Sequence, residues 1–289
     1  IGVGLVGSEM CIRDRLASAI SVSNKVQVAI MAPTEILANQ HYRSFKKYTD
    51  SAQISCALLV GGMPAKERNK ILSGLKNHKI DIVIGTHALI QKDIEFNSLG
   101  LVVVDEQHRF GVNQRNLLIQ KGINPHLLSM TATPIPRTLA ITYHGDMDLS
   151  VIDEIPKNRI PVVTKMVDEK RLNKVYSFII DEVKAGKQCM IVHPLIEESE
   201  KSDLLAAIDM YDTLSTTVFK ELNVGLLHGR QDKLQKEKIM HDFSENKINI
   251  LLSTTVIEVG IDVPNATVML IENAERFGLT QLHLSLIHI

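Results

Sequence analysis

The sequence predicts an α/β protein of two domains, each a mostly parallel sheet flanked by helices. Three observations lead there. Apolar, β-branched runs recur along the whole chain, stretches with helical spacing separate them, and a charged stretch with two prolines, Asp148–Pro161, falls near the midpoint. Continuous apolar runs, rather than alternating ones, are what strands covered on both faces require. Strand and helix in alternation give parallel pairing with right-handed crossovers. A chain of 289 residues suffices for two domains of ordinary size, expected here as residues 1–150 and 151–289.

The expected strands of the first half are Val26–Met31, Ile54–Val60, Ile80–Ile84, Leu101–Val104 and Leu127–Met130. Those of the second are Pro161–Val167, Cys189–Val192, Val224–Leu227, Ile248–Leu252 and Thr267–Ile271. In Glu35–Tyr48, Lys170–Lys184 and Leu234–Phe243 apolar residues return every three or four positions, the period of an amphipathic helix. Asp148–Pro161 then reads as the inter-domain connection. No low-complexity segment or short-period repeat is present.

Composition narrows the class without naming a function. The chain is 45% hydrophobic with a formal net charge of −1, and it contains no apolar run of membrane-spanning length. Cys11, Cys56 and Cys189 are scattered without paired spacing, which argues against a disulfide framework or zinc knuckle and for a reducing, cytoplasmic setting. A nucleic-acid partner would have to be held by local charge, since no basic block stands out.

In sheets of this kind ligands sit beyond the carboxyl ends of the strands. The residues that follow the apolar runs are Ala32-Pro33-Thr34-Glu35, Gly85-Thr86-His87, Asp105-Glu106-Gln107-His108 and Thr131-Ala132-Thr133-Pro134; in the second half they are His228-Gly229-Arg230 and Ser253-Thr254-Thr255. Hydroxyls, acids and glycines on one edge suit a phosphate-bearing ligand. Helix N-caps favour the same residue types, so each position alone admits either role. The strongest chemical signal is Leu101-Val102-Val103-Val104-Asp105-Glu106. A carboxylate at the tip of a buried strand can hold Mg²⁺, and a second beside it can orient or deprotonate an attacking water.

Asp105–Val112, followed by Met130–Thr138, closely resembles motifs II and III of superfamily 2 helicases, in wording like that of the RecG-like branch. Related translocases usually carry a second Glu where this chain has Gln107. The likeness continues through Ala32–Ala38, Gly85–Ile90, Leu195–Glu200, Leu226–Arg230 and Leu251–His283, so it covers roughly residues 25 to 283.

This resemblance implies two RecA-like domains, ATP and Mg²⁺ as cofactors, and branched DNA as partner, gripped by its backbone without reading sequence. Asp105 would bind the metal and Glu106 would activate water, with Gln107 and His108 linking the nucleotide site to Thr131 and Thr133. Gly4, Gly7 and Ser8 fall where the nucleotide loop belongs, and Gly260 and Asp262 would meet the nucleotide from the second domain. Pro33, Thr34, Thr86 and His87 would line the DNA path on the first domain, and Thr254 and Thr255 on the second. A monomer acting in DNA repair and recombination is expected, with ATP closing the two domains and hydrolysis opening them.

Bland roles compete at several positions. His108 and His228 suit ordinary capping, Asp262 suits the turn before Val263-Pro264, and the Arg43, Lys46, Lys47 cluster suits a solvated helix face.

Both ends depart from the family. A phosphate-binding loop needs G-x-x-x-x-G-K-[ST], whereas Gly4-Leu5-Val6-Gly7-Ser8 runs into Glu9-Met10-Cys11. Losing the lysine and adding an acid costs on the order of 1–3 kcal/mol per charge contact. Beyond His283 the chain reads Leu284-Ser285-Leu286-Ile287-His288-Ile289, without the arginines of the family's last motif. Residues 1–15 and 284–289 therefore look like foreign sequence on a partial reading frame, and negligible ATP turnover is expected of the chain as written. The alternative is a non-catalytic nucleic-acid-binding or regulatory module on a degenerate helicase fold.

Overall fold

A computed structural model of the chain describes residues 8–131, 147–150, 162–194, 200–254, 263, 265–278 and 282. Two compact units divide between Pro134 and Ile135. Most of the expected connection, Asp148–Pro161, lies outside the described residues.

The first unit runs α1 (Ser8–Ser23), β1 (Gln27–Met31), α2 (Glu35–Ala52), β2 (Cys56–Leu59), α3 (Ala65–Lys76), β3 (Ile82–Gly85), β4 (Leu99–Val104), α4 (Val112–Ile119) and β5 (His126–Ser129). Its five strands are all parallel, in the order β2-β3-β1-β4-β5. Side chains alternate between the faces. Ala29, Met31, Val83, Val102 and Val104 join one core with Leu75 of α3 and Leu118 of α4. The intervening Val28, Ile30, Ile82, Ile84 and Val103 are equally buried, on the side where α1 and α2 pack. Both faces are covered, which is why these strands read as unbroken apolar runs.

The second unit runs α5 (Leu172–Lys184), β6 (Gln188–His193), α6 (Glu200–Thr213), β7 (Val224–Leu227), α7 (Lys233–Ser244), β8 (Ile250–Thr254) and β9 (Ala266–Ile271). Its sheet is again parallel, ordered β7-β8-β6-β9. Cys189, Ile191, Ile250 and Leu252 pack on α5 and α6, while Met190, Leu227 and Leu251 meet Phe243 of α7 on the opposite face.

The expected helices and nine of the ten expected strands are present, Val224–Leu227 with the expected ends and the others with shifted ones. The exception is Pro161–Val167. Residues 162–167 form no strand, and Val163 and Met166 stand almost wholly in solvent. A β-branched run becomes a strand only where a neighbour completes its ladder, and none pairs with it among the described residues. Cys56 and Cys189 are free thiols, each pushed up to about 12 by burial, so neither is poised to react. No helix among the described residues is long and apolar enough to cross a membrane.

Candidate functional site

Parallel register lines up the strand ends. Met31 lies opposite both Gly85 and Val104, and Val104 opposite Ser129. The next residue of each strand therefore falls on one row: Ala32, Thr86, Asp105 and Met130. Backbone bonds extend the ladder by one step, with Ala32 N–H donating to Gly85 O at 2.8 Å and Asp105 N–H to Met31 O at 3.0 Å. Gly85 is required by close approach, since a Cβ there would lie 2.1 Å from Leu59 O.

Asp105 and Glu106 occupy the middle of the row. Asp105 Oδ1 accepts from Glu106 N–H at 3.0 Å, and Oδ2 lies 2.8 Å from His41 Nε2. Glu106 is left-handed, with φ 49° and ψ 55°, a region that residues other than glycine use sparingly. Thr131 Oγ1 donates to Glu106 Oε2 at 3.3 Å. Gln107 Oε1 accepts from Ser129 Oγ at 2.6 Å and from Arg115 Nη1 at 3.1 Å. The structure thus links Asp105, Glu106 and Thr131 by hydrogen bonds, while the Gln107 side chain ties instead to Ser129 and Arg115.

Both acids are buried, Asp105 to 2% exposure and Glu106 to 5%. Helix α1 packs against β1, β4 and α2. Asp14 of α1 is fully buried, and its carboxyl oxygens have no hydrogen-bond partner. Asp14 Oδ2 lies 4.0 Å from His41 Nδ1, and burial pushes the carboxyl up to about 6, with His41 acting against the rise.

Other expected site residues fall in three groups. Thr34 is the N-cap of α2 and accepts from Leu37 N–H at 3.3 Å, so its hydroxyl serves the helix. Pro33 is half-buried and His87 exposed. Thr86 follows β3 of the first sheet and Thr254 ends β8 of the second, and both hydroxyls are buried without a hydrogen-bond partner. In the second unit His193 lies opposite Thr254, placing Thr254 on that sheet's own carboxyl row. The His228 imidazole is held below its ordinary pKa by burial, then by Lys236 and Arg230. Gly4, Gly7, Thr133, Thr255, Gly260 and Asp262 lie outside the described residues, as do the side chains of Ser8 and His108.

Sequence reasoning missed His41. Its signal was available, since Leu37, His41 and Phe45 share the buried face of α2, and a buried imidazole needs a polar partner.

The donor set suits Mg²⁺. An ionised carboxylate offers about four lone-pair positions, and the bonds to Glu106 N–H and His41 leave some of Asp105's for a cation. No cluster of three or more acidic, His or Cys ligands occurs among the described residues. Mg²⁺ does not need one, because it is usually held by one or two carboxylates, waters and substrate phosphates. Glu9, Met10 and Cys11, by contrast, supply neither the cation nor the hydroxyl that a triphosphate calls for.

A DEAD/DEAH box helicase family model matches residues 9–142, and a helicase conserved C-terminal domain model matches residues 170–285. ATP-dependent DNA helicase RecG of Thermotoga maritima is 51% identical over 280 residues, spanning 97% of this chain and 36% of the relative. RecG of Bacillus subtilis is 49% identical over 280 residues, spanning 97% and 41%. A solved structure of RecG bound to a three-way DNA junction is similar with a TM-score of 0.77 and 47% identity, over 96% of this chain and 36% of that one. Dbp5 of S. cerevisiae, bound to RNA and ADP BeF3, shares the fold alone, at 15% identity and a TM-score of 0.70. The chain therefore spans well under half the length of the curated relatives it matches. Its two parallel-sheet units, its acidic strand tip and its half-identity to these relatives together place the chain in the RecG-like family of DEAD/DEAH box helicases.

Proposed function

We propose that this chain derives from an ATP-dependent DNA helicase or translocase that acts on branched DNA in recombination and repair. The observation that carries the reading is the Asp105–Glu106 pair at the carboxyl row of the first sheet, joined to Thr131 by hydrogen bond. In phosphoryl transfer an acid at this position holds Mg²⁺ on the nucleotide, and its neighbour orients the attacking water. Gln107, His108, Thr131 and Thr133 would pass the state of that site onward, and Gly260 and Asp262 would meet the nucleotide from the second unit. Pro33, Thr34, Thr86, His87, Thr254 and Thr255 would contact the DNA backbone. The unpartnered hydroxyls of Thr86 and Thr254 support this, since a buried polar group without a partner is costly and a ligand oxygen would relieve it. A cytoplasmic monomer is part of the proposal.

The chain as it stands would turn over ATP negligibly, because Glu9, Met10 and Cys11 replace the phosphate-binding lysine and hydroxyl. The same residues favour the second reading, a nucleic-acid-binding module without catalysis. A DNA-stimulated ATPase assay separates the two once the family's own sequence replaces residues 1–15 and 284–289. Stimulation that Glu106→Gln lowers by about 100-fold or more supports the motor. Failure of any DNA to stimulate, in a variant shown to bind ATP, supports the module.

A further inference from the structure

We infer that His41 is the positioning residue of the metal-binding carboxylate. The inference rests on the reading of Asp105 as the acid that holds Mg²⁺, and adds the group that fixes its orientation.

His41 sits in the middle of α2, on the same face as Leu37, Ala38, Phe45 and Thr49, and is 5% exposed. A solvent-shunning helix face would ordinarily carry an aliphatic residue there, because burying an imidazole among them is unfavourable unless it is hydrogen-bonded. Its Nε2 lies 2.8 Å from Asp105 Oδ2, a distance for a strong, charge-assisted bond. An ionised carboxylate only accepts, so Nε2 carries the proton in that bond. Oδ1 is already fixed by the backbone N–H of Glu106. With one hydrogen bond to each oxygen, the plane of the carboxyl group is set from two directions. The remaining lone pairs then point along fixed lines, which is what a cation demanding near-octahedral geometry needs. The two residues come from separate elements, α2 and the end of β4, so packing of α2 on the sheet sets the orientation rather than local chain geometry.

Outer partners of this kind change metal affinity by about 10–100-fold when removed. The test measures binding of Mn²⁺, as a probe for Mg²⁺, to the unsubstituted chain, from loss of the free-ion EPR signal. Asp105→Asn identifies the part of the binding that belongs to this site. His41→Leu fills the space without a donor, and His41→Gln restores an amide N–H near the position of Nε2. We expect His41→Leu to raise the half-saturating Mn²⁺ concentration about tenfold or more, and His41→Gln to stay close to the parent, with circular dichroism unchanged in both. Parent-like Mn²⁺ binding in His41→Leu overturns the inference, as does equal weakening by Leu and Gln. Should His41→Leu lose its fold, His41→Gln decides: retained affinity supports positioning, and lost affinity in a folded chain overturns it. If Asp105→Asn binds Mn²⁺ as tightly as the parent, the reading of Asp105 itself falls, an outcome distinct from failure of His41 alone.

Discussion

The strand-to-turn unit that ends β4 has a counterpart at the end of β9. In the first, Val104 leads into Asp105, left-handed Glu106 and a single 3₁₀ turn over Gln107–Arg109; in the second, Ile271 leads into Glu272, left-handed Asn273 and a 3₁₀ turn over Ala274–Arg276. Arg-Phe-Gly closes both, as Arg109-Phe110-Gly111 and Arg276-Phe277-Gly278. Asp105 N–H donates to Met31 O at 3.0 Å, and Glu272 N–H to Val192 O at 2.9 Å, the corresponding carbonyl of the central strand. At the opposite edge, Gln27 and Gln188 open the central strands beside matching bulges, and the amide of each donates to two backbone carbonyls. The backbones repeat; the chemistry does not. The first unit buries Asp14, Asp105 and Glu106, whereas no acid is fully buried among the described residues of the second. Backbone geometry is therefore shared by the two sheets, whereas among the described residues only the first carries buried acids at its carboxyl row.

The glutamines give the largest expected break in the symmetry. Gln27 Oε1 also accepts from Asn97 and Ser98 N–H, at 2.9 and 3.0 Å, while Gln188 Oε1 is buried without a partner. Gln27→Leu strands backbone groups on both sides and should cost about 4 kcal/mol; Gln188→Leu strands fewer and should cost about 2 kcal/mol, read as urea midpoints. Equal costs would mean the two clamps are energetically alike despite their different bonding.

Asp14 comes next. Its carboxyl is raised from 3.8 to about 6, so the folded state favours the protonated form more than the unfolded state does. The contribution of Asp14 to stability is then greatest below pH 4, falls as pH rises through the interval to about 6, and is level above it, for a total on the order of 3 kcal/mol. Urea unfolding across this range should show the slope in the parent and lose it in Asp14→Asn. The smallest effect tests the turns themselves. Asn tolerates the left-handed region better than residues without a short polar side chain, so Asn273→Ala should cost about 1 kcal/mol and Asn273→Gly only a few tenths. An Ala variant as stable as the parent would show that this turn carries no conformational strain.

The strands were legible because covered parallel sheets demand uninterrupted apolar runs, and Val26–Met31 or Leu101–Val104 carry little else. Asp105, Glu106, Gln107 and Thr131 were legible for a related reason: polar residues abruptly ending such runs have few places to go but the sheet edge. Residues 162–167 were over-read, because pairing depends on a neighbour that local composition does not reveal. Thr34 shows the ambiguity of hydroxyls, one atom type serving equally as helix cap or ligand contact. His41 and the two glutamines escaped notice as single polar residues inside patterns otherwise explained, a helix face and two strand beginnings. Their roles arise only when residues 64 positions away, for His41, or 48 to 71, for Gln27, come within bonding distance.

The paired left-handed turns carry a practical implication for protein engineering. Since Asn273 already adopts the backbone that Glu106 requires, exchanging Glu272-Asn273 for Asp-Glu would transplant an acidic dyad onto the second sheet without remodelling its main chain. A histidine introduced on a helix overlying that graft would then reproduce, in a naive scaffold, the smallest set of side chains needed to dissect how a strand tip captures a divalent ion.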